Sequence, residues 1–125
     1  MLRYSDEVNF KWQRSRTIAQ YKSGLLKRED VCDAEFLLCA SANFHGEALS
    51  TPCPICEAST LYVVPWVYGE ALGRASGSAR SLSEAEQLVD VHRSFTMHSV
   101  EVCTTCRWNH LLYSWTLTRI ADEHY

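Results

Sequence analysis

No stretch of this 125-residue sequence approaches the eighteen consecutive apolar residues that a membrane-spanning helix requires; the longest candidate is the short run Leu61–Tyr68. The first residues, Met1-Leu2-Arg3-Tyr4-Ser5-Asp6-Glu7, lack the apolar core of a secretory leader. Together these absences point to a cytoplasmic protein. Catalytic signatures are missing as well. There is no HExxH helix, no Ser/His/Asp order stands out, and Gly73-Arg74-Ala75-Ser76-Gly77-Ser78 has no phosphate-loop spacing. An enzyme is therefore not expected.

What the sequence does contain is 46% hydrophobic and 22% charged residues, the composition of one globular domain with a moderate core. Its net charge of −3 hides a split. Residues 1–28 hold seven basic side chains (Arg3, Lys11, Arg14, Arg16, Lys22, Lys27, Arg28) against Asp6 and Glu7. The remainder holds five arginines against thirteen acids. A basic arm on an acidic body suits docking on an acidic partner, although a charge run is as often a solvated helix face.

Capping and periodicity predict a first helix from Ser5 or Asp6 to about Ser23, although the Val8-Phe10-Trp12 alternation also suits a strand. A second helix is expected from Asp30 to the stop at Gly46, with Cys32 and Cys39 as buried small hydrophobes about 10 Å apart along it. Thr60–Tyr68, His98–Val102 and Trp108–Thr118 read as strands, with Leu111, Tyr113, Trp115 and Leu117 on one face of the last. Between the first two strands, Gly69–Ser83 reads as a loop. A capping box at Ser81/Glu84 or Ser83/Glu86 then opens a short helix to about Arg93.

The strong chemical signal is two C-x2-C pairs, Cys53/Cys56 and Cys103/Cys106. Each spacing lets two thiolates converge on one side of a tight turn, and two such knuckles supply the four sulfurs of a tetrahedral Zn²⁺ shell. Four thiolates close that shell, so the expected zinc is single and structural. The 46 residues separating the knuckles read as an insertion. Cys53-Pro54-Ile55-Cys56 also resembles a redox pair, but that chemistry needs a helix after the first cysteine, and here a strand follows. His92, His98 and His110 lie near the knuckles in sequence; packing residues are their ordinary role. Tyr62, Trp66, Trp108 and Trp115 could stack on bases, but sheet aromatics more often form the core, and the acidic body repels phosphate.

Several segments carry a family resemblance: Phe44-His45-Gly46, Cys53-Pro54-Ile55-Cys56, Trp66-Val67-Tyr68-Gly69-Glu70, Gly73–Arg80 and Val102-Cys103-Thr104-Thr105-Cys106-Arg107-Trp108-Asn109-His110-Leu111. Together they resemble a small actinobacterial family of unknown function, over roughly Ser23 to Leu117. The resemblance implies a cytosolic actinobacterial protein with zinc on the four named cysteines. More distantly, the knuckles look like those of zinc ribbons in transcription and translation factors. Where those commonly carry glycine after the second cysteine, Glu57 and Arg107 stand here.

The expected architecture is α+β. An N-terminal helical arm (1–48) precedes a small antiparallel zinc-ribbon sheet (49–125), with a loop-helix insertion at 69–95. The expected function is a non-enzymatic, zinc-binding interaction protein docking on a larger cytosolic complex. RNA polymerase or its factors is the first choice by analogy. Lys11, Arg14, Arg16, Arg74, Arg80 and Arg107 are the candidate partner contacts. A zinc-ribbon nucleic-acid binder is the alternative, and a thiol redox sensor a more distant one.

Overall fold

The computed structural model describes residues 2–120, and its first element is a strand, β1 (Leu2–Asn9), where a helix was expected. Long-range pairing decides this: Leu2, Arg3, Tyr4 and Ser5 lie opposite Arg119, Thr118, Leu117 and Thr116. That ladder supplies backbone partners that outweigh the weak helical periodicity. The helix begins only at α1 (Lys11–Lys22), where Asn9 Oδ1 accepts the Lys11 N–H at 2.9 Å. Gly24, at φ +85°, follows its end.

The second expected helix is two short ones, α2 (Arg28–Val31) and α3 (Phe36–His45). Residues 32–35 leave the helical path where Ala34 pairs with Arg107 instead. The Ala34 N–H donates to the Arg107 carbonyl at 3.0 Å, and Arg107 Nε donates to the Ala34 carbonyl at 2.7 Å. Gly46 ends α3 against β3: a Cβ there would stand 2.6 Å from the Ala42 carbonyl oxygen of the helix and 3.2 Å from the Val63 carbonyl oxygen of the sheet.

Five further strands follow: β2 (Glu47–Ala48), β3 (Leu61–Tyr68), β4 (Ser78–Ala79), β5 (Ser94–Cys103) and β6 (Asn109–Arg119). The sheet runs β1-β6-β5-β3-β2, with β4 sharing the outer edge of β3, and every pairing is antiparallel. The mixed α and antiparallel β composition is as expected, but the sheet has six strands and is not small. Nor does it pause at residue 49: β1 and β2, both from the expected arm, belong to the same sheet as β3, β5 and β6. The 69–95 segment holds a 3₁₀ stretch (Glu70–Ala75), β4, α4 (Leu82–Gln87) and α5 (Val89–His92). Ser81 caps α4 as expected, its Oγ accepting the Glu84 N–H at 3.2 Å.

Helices cover both faces. On one, α3 packs Leu38, Cys39 and Ala42 against Val64, Val100 and Val102. On the other, Leu72, Ala85 and Val89 cover Val67, Phe95, Met97 and Leu117 at one end. At the opposite end Ile18 and Tyr21 of α1 join Leu61, Trp108 and the knuckle cysteines. Between these two patches lies a cavity of about 200 Å³, lined by Tyr4, Val63, Pro65, Met97 and Trp115 among others. A register shift in β6, where Ser99 faces Tyr113 but Val100 faces Leu111, leaves Leu112 without a partner on β5. It sets Leu111 on the opposite face from Tyr113, so the expected shared face begins only at Tyr113. Among the described residues, no helix is long and apolar enough to cross a membrane.

Candidate metal centre

The two knuckles fold alike. In each, the N–H four residues after the first cysteine closes a turn on that cysteine's carbonyl: Glu57 to Cys53 and Arg107 to Cys103, both at 3.0 Å. In each, the first cysteine's N–H then bonds five residues onward, to Ala58 at 3.0 Å and to Trp108 at 2.8 Å. The residue after the second cysteine has a left-handed backbone, φ +64° at Glu57 and +73° at Arg107. Both therefore adopt the geometry that favours glycine, so their side chains do not change the turn.

Strand pairing brings the knuckles together. Leu61 lies opposite Cys103, and Cys103 ends β5, so both turns stand at one end of the sheet. The sulfurs of Cys53, Cys56, Cys103 and Cys106 all lie within 4.8 Å of one another. Cys53–Cys106 and Cys56–Cys103 are 3.7 and 3.6 Å apart. A tetrahedral ion with bonds of about 2.3 Å needs sulfurs about 3.8 Å apart, whereas a disulfide needs about 2.05 Å. The spacing fits four ligands around one metal, and all six cysteines are free thiols.

Hydrogen bonds prepare the sulfurs unequally. Burial pushes the Cys103 thiol up, but the Thr60 hydroxyl at 3.3 Å and the N–H groups of Cys106 and Thr105 outweigh it, bringing Cys103 down to about 6. Burial raises Cys53, against the N–H groups of Cys56 and Ile55. It also raises Cys106, where the neighbouring sulfurs of Cys32, Cys53 and Cys56 add to it and the Trp108 N–H opposes. Cys53 and Cys103 are almost fully buried, and Cys56 and Cys106 half-buried.

Two further cysteines and a buried carboxylate adjoin the cluster. Cys32, expected to pack within a long helix, sits at the end of α2 with its Sγ 3.6 Å from Cys106 Sγ. Cys39 lines a recess with Phe36, Thr104, Thr105 and Arg107. The break at 32–35 brings both toward the knuckles, and no local signal marked it, because Arg107 imposes it from far along the chain. Glu101, buried beside the knuckle, accepts Trp108 Nε1 at 2.8 Å and Arg14 Nε at 2.7 Å on the same oxygen.

The expected partner contacts are dispersed. Arg14 is engaged by Glu101 and Arg107 by Ala34, while Arg80 Nε donates to Ser78 Oγ at 3.2 Å. Lys11 and Arg16 lie over the rings of Tyr113 and Trp12, and Arg74 is on the 3₁₀ stretch. None of His92, His98 and His110 belongs to the sulfur cluster: His98 packs on Tyr68 and His110 stacks on Trp108. His45-Gly46-Glu47 has the His-x-Glu order of zinc deaminases. It too lies outside the cluster, with His45 Nδ1 3.6 Å from Glu84.

Similar chains occur in mycobacteria. Uncharacterized proteins of Mycobacterium bovis and of Mycobacterium tuberculosis strains CDC 1551 and H37Rv are each 42% identical over 110 residues, which is 88% of this chain and 80% of theirs. No solved structure matches the chain. The model of DUF5318, a family of unknown function, matches residues 1–124, and the chain belongs to that family.

Proposed function

We propose that the protein is a non-enzymatic interaction module of the cytoplasm, stabilised by one structural Zn²⁺, that docks on a larger protein complex. The observation that carries this reading is the closed four-sulfur shell on paired knuckles. A shell filled by protein ligands leaves no position for water or substrate, and zinc is the common ion for four thiolates in tetrahedral array. The knuckles and the antiparallel β3–β5 pairing between them give the centre the character of a zinc ribbon, enlarged by the other strands. His45, turned to Glu84, supports a structural over a deaminase-like metal.

Exposed apolar residues favour a protein partner. Phe36, Leu37 and Phe44 on α3 are 81%, 70% and 84% exposed, an unusual concentration for ten residues of helix. RNA polymerase or one of its factors is the first choice, by analogy with zinc ribbons in transcription factors. Purification of the tagged chain from its native cell tests the choice. Polymerase subunits should be retained, and a Phe36→Ser/Phe44→Ser variant should lose them. Absence of those subunits above background discards polymerase.

A second reading, nucleic-acid binding, draws on Trp12, 68% exposed and flanked by Lys11 and Arg16 on α1. Retention on single-stranded DNA or RNA that weakens with salt would support it, and no retention near 150 mM salt would dismiss it.

A further inference from the structure

We propose that Cys32 is an oxidation site coupled to the metal centre: hydrogen peroxide joins it to Cys106 as a disulfide, removing one ligand from the shell. The proposal rests on the metal-centre reading above. Cys106 Sγ stands 3.7 Å from Cys53 inside the four-sulfur cluster and 3.6 Å from Cys32 outside it. Cys32 thus stands as near to a ligand as the ligands stand to each other, yet it is not needed to fill the shell. Its sulfur donates its hydrogen to Cys106, so the two atoms already face one another.

Accessibility and freedom of movement favour this pair over the others. Cys53 and Cys103 are 1% and 0% exposed, whereas Cys32 and Cys106 are both half-buried. Cys32 follows the four-residue α2 and opens the irregular segment 32–35, and Arg28, Glu29, Asp30 and Asp33 around it are exposed. Closing 3.6 Å to a disulfide of about 2.05 Å needs a movement of roughly 1.5 Å, small for the end of a one-turn helix. Arg28 interacts electrostatically with both sulfurs, as Arg107 does with Cys39.

The chemistry balances. The Cys32 thiol takes one oxygen from hydrogen peroxide to become a sulfenic acid, and the first water leaves. A lone pair of the Cys106 sulfur then attacks the Cys32 sulfur and breaks its S–O bond. The departing hydroxide takes a solvent proton as the second water. The two sulfurs give two electrons to the peroxide O–O bond. Cys106 can no longer serve as a thiolate ligand, and three sulfurs remain.

The test treats zinc-loaded full-length chain with hydrogen peroxide, follows released zinc with a chromogenic chelator, and maps disulfides by alkylation and peptide mass spectrometry. The expected first linkage is Cys32–Cys106, formed together with zinc release and reversed by dithiothreitol and zinc. Cys32→Ser should bind one zinc with affinity within about threefold of wild type and release it at least tenfold more slowly under peroxide. Cys39→Ser should behave as wild type. A first linkage within the four ligands, or wild-type release from Cys32→Ser, overturns the proposal; so does loss of zinc binding in Cys32→Ser, which would make Cys32 a ligand. A wild-type chain that binds no zinc refutes the metal-centre reading instead, and disulfide mapping of that same chain still decides whether Cys32 and Cys106 pair.

Discussion

Glu101 is the one charged side chain buried among the described residues, and a single oxygen of it serves two donors, Arg14 and Trp108. The pairing offsets the cost of burying it: the Arg14 side chain remains 25% exposed, so the cation keeps some water while its partner loses nearly all. Removing one member of such a pair leaves an uncompensated buried carboxylate. Arg14→Ala should therefore cost about 2–3 kcal/mol in urea unfolding, and adding Glu101→Gln should recover part of that loss. Lys11→Ala and Arg16→Ala, which remove only exposed cation–aromatic contacts, should each cost under about 1 kcal/mol in the same assay. At Glu57, exposed and at φ +64°, glycine relieves a left-handed backbone. Glu57→Gly should hold stability or raise it by roughly 0.5–1 kcal/mol, read as the melting temperature of the zinc-loaded protein.

Among the elements, the knuckle end and the α4–α5 end depend on different things. Cys53, Cys103, Leu61, Trp108 and α1 share one apolar cluster with the sulfurs, whereas Phe95, Met97, Val89 and Leu117 form another at the far end of the strands. Chelation of the metal should accelerate amide hydrogen exchange at residues 53–61 and 103–109 and along α1, by tenfold or more, before it does so at Phe95 and Leu117. Uniform loss of protection would contradict this division. What the sequence made legible follows the same line. The knuckles, β3 and β6 were readable because their signals are local: fixed ligand spacing and dense β-branched and aromatic runs. The β1 strand and the break between α2 and α3 were not, since partners more than seventy residues away, in β6 and at Arg107, decide them. Arg14 read as a surface charge for a related reason, its partner Glu101 lying 87 positions on.

For the whole molecule, metal content and protonation are linked. Cys53 and Cys106 are held above the ordinary thiol range, so without metal they carry protons at neutral pH, while Cys103, near 6, is mostly thiolate. Binding an ion displaces those protons, and affinity must fall as pH falls. Elemental analysis should find about one zinc per chain, and competition with a chelator should show affinity dropping at least tenfold from pH 7.5 to 6.5. A pH-independent affinity would contradict the thiolate shell. The pairing of Leu2 with Arg119 has a consequence of another kind. It sets the outer ends of β1 and β6 side by side, at the opposite end of the sheet from the Cys103 turn, the ten residues of β5 away or roughly 30 Å. A fluorophore on an exposed residue of that end, such as Arg3, would stand beyond the reach of the knuckles and leave the metal centre undisturbed.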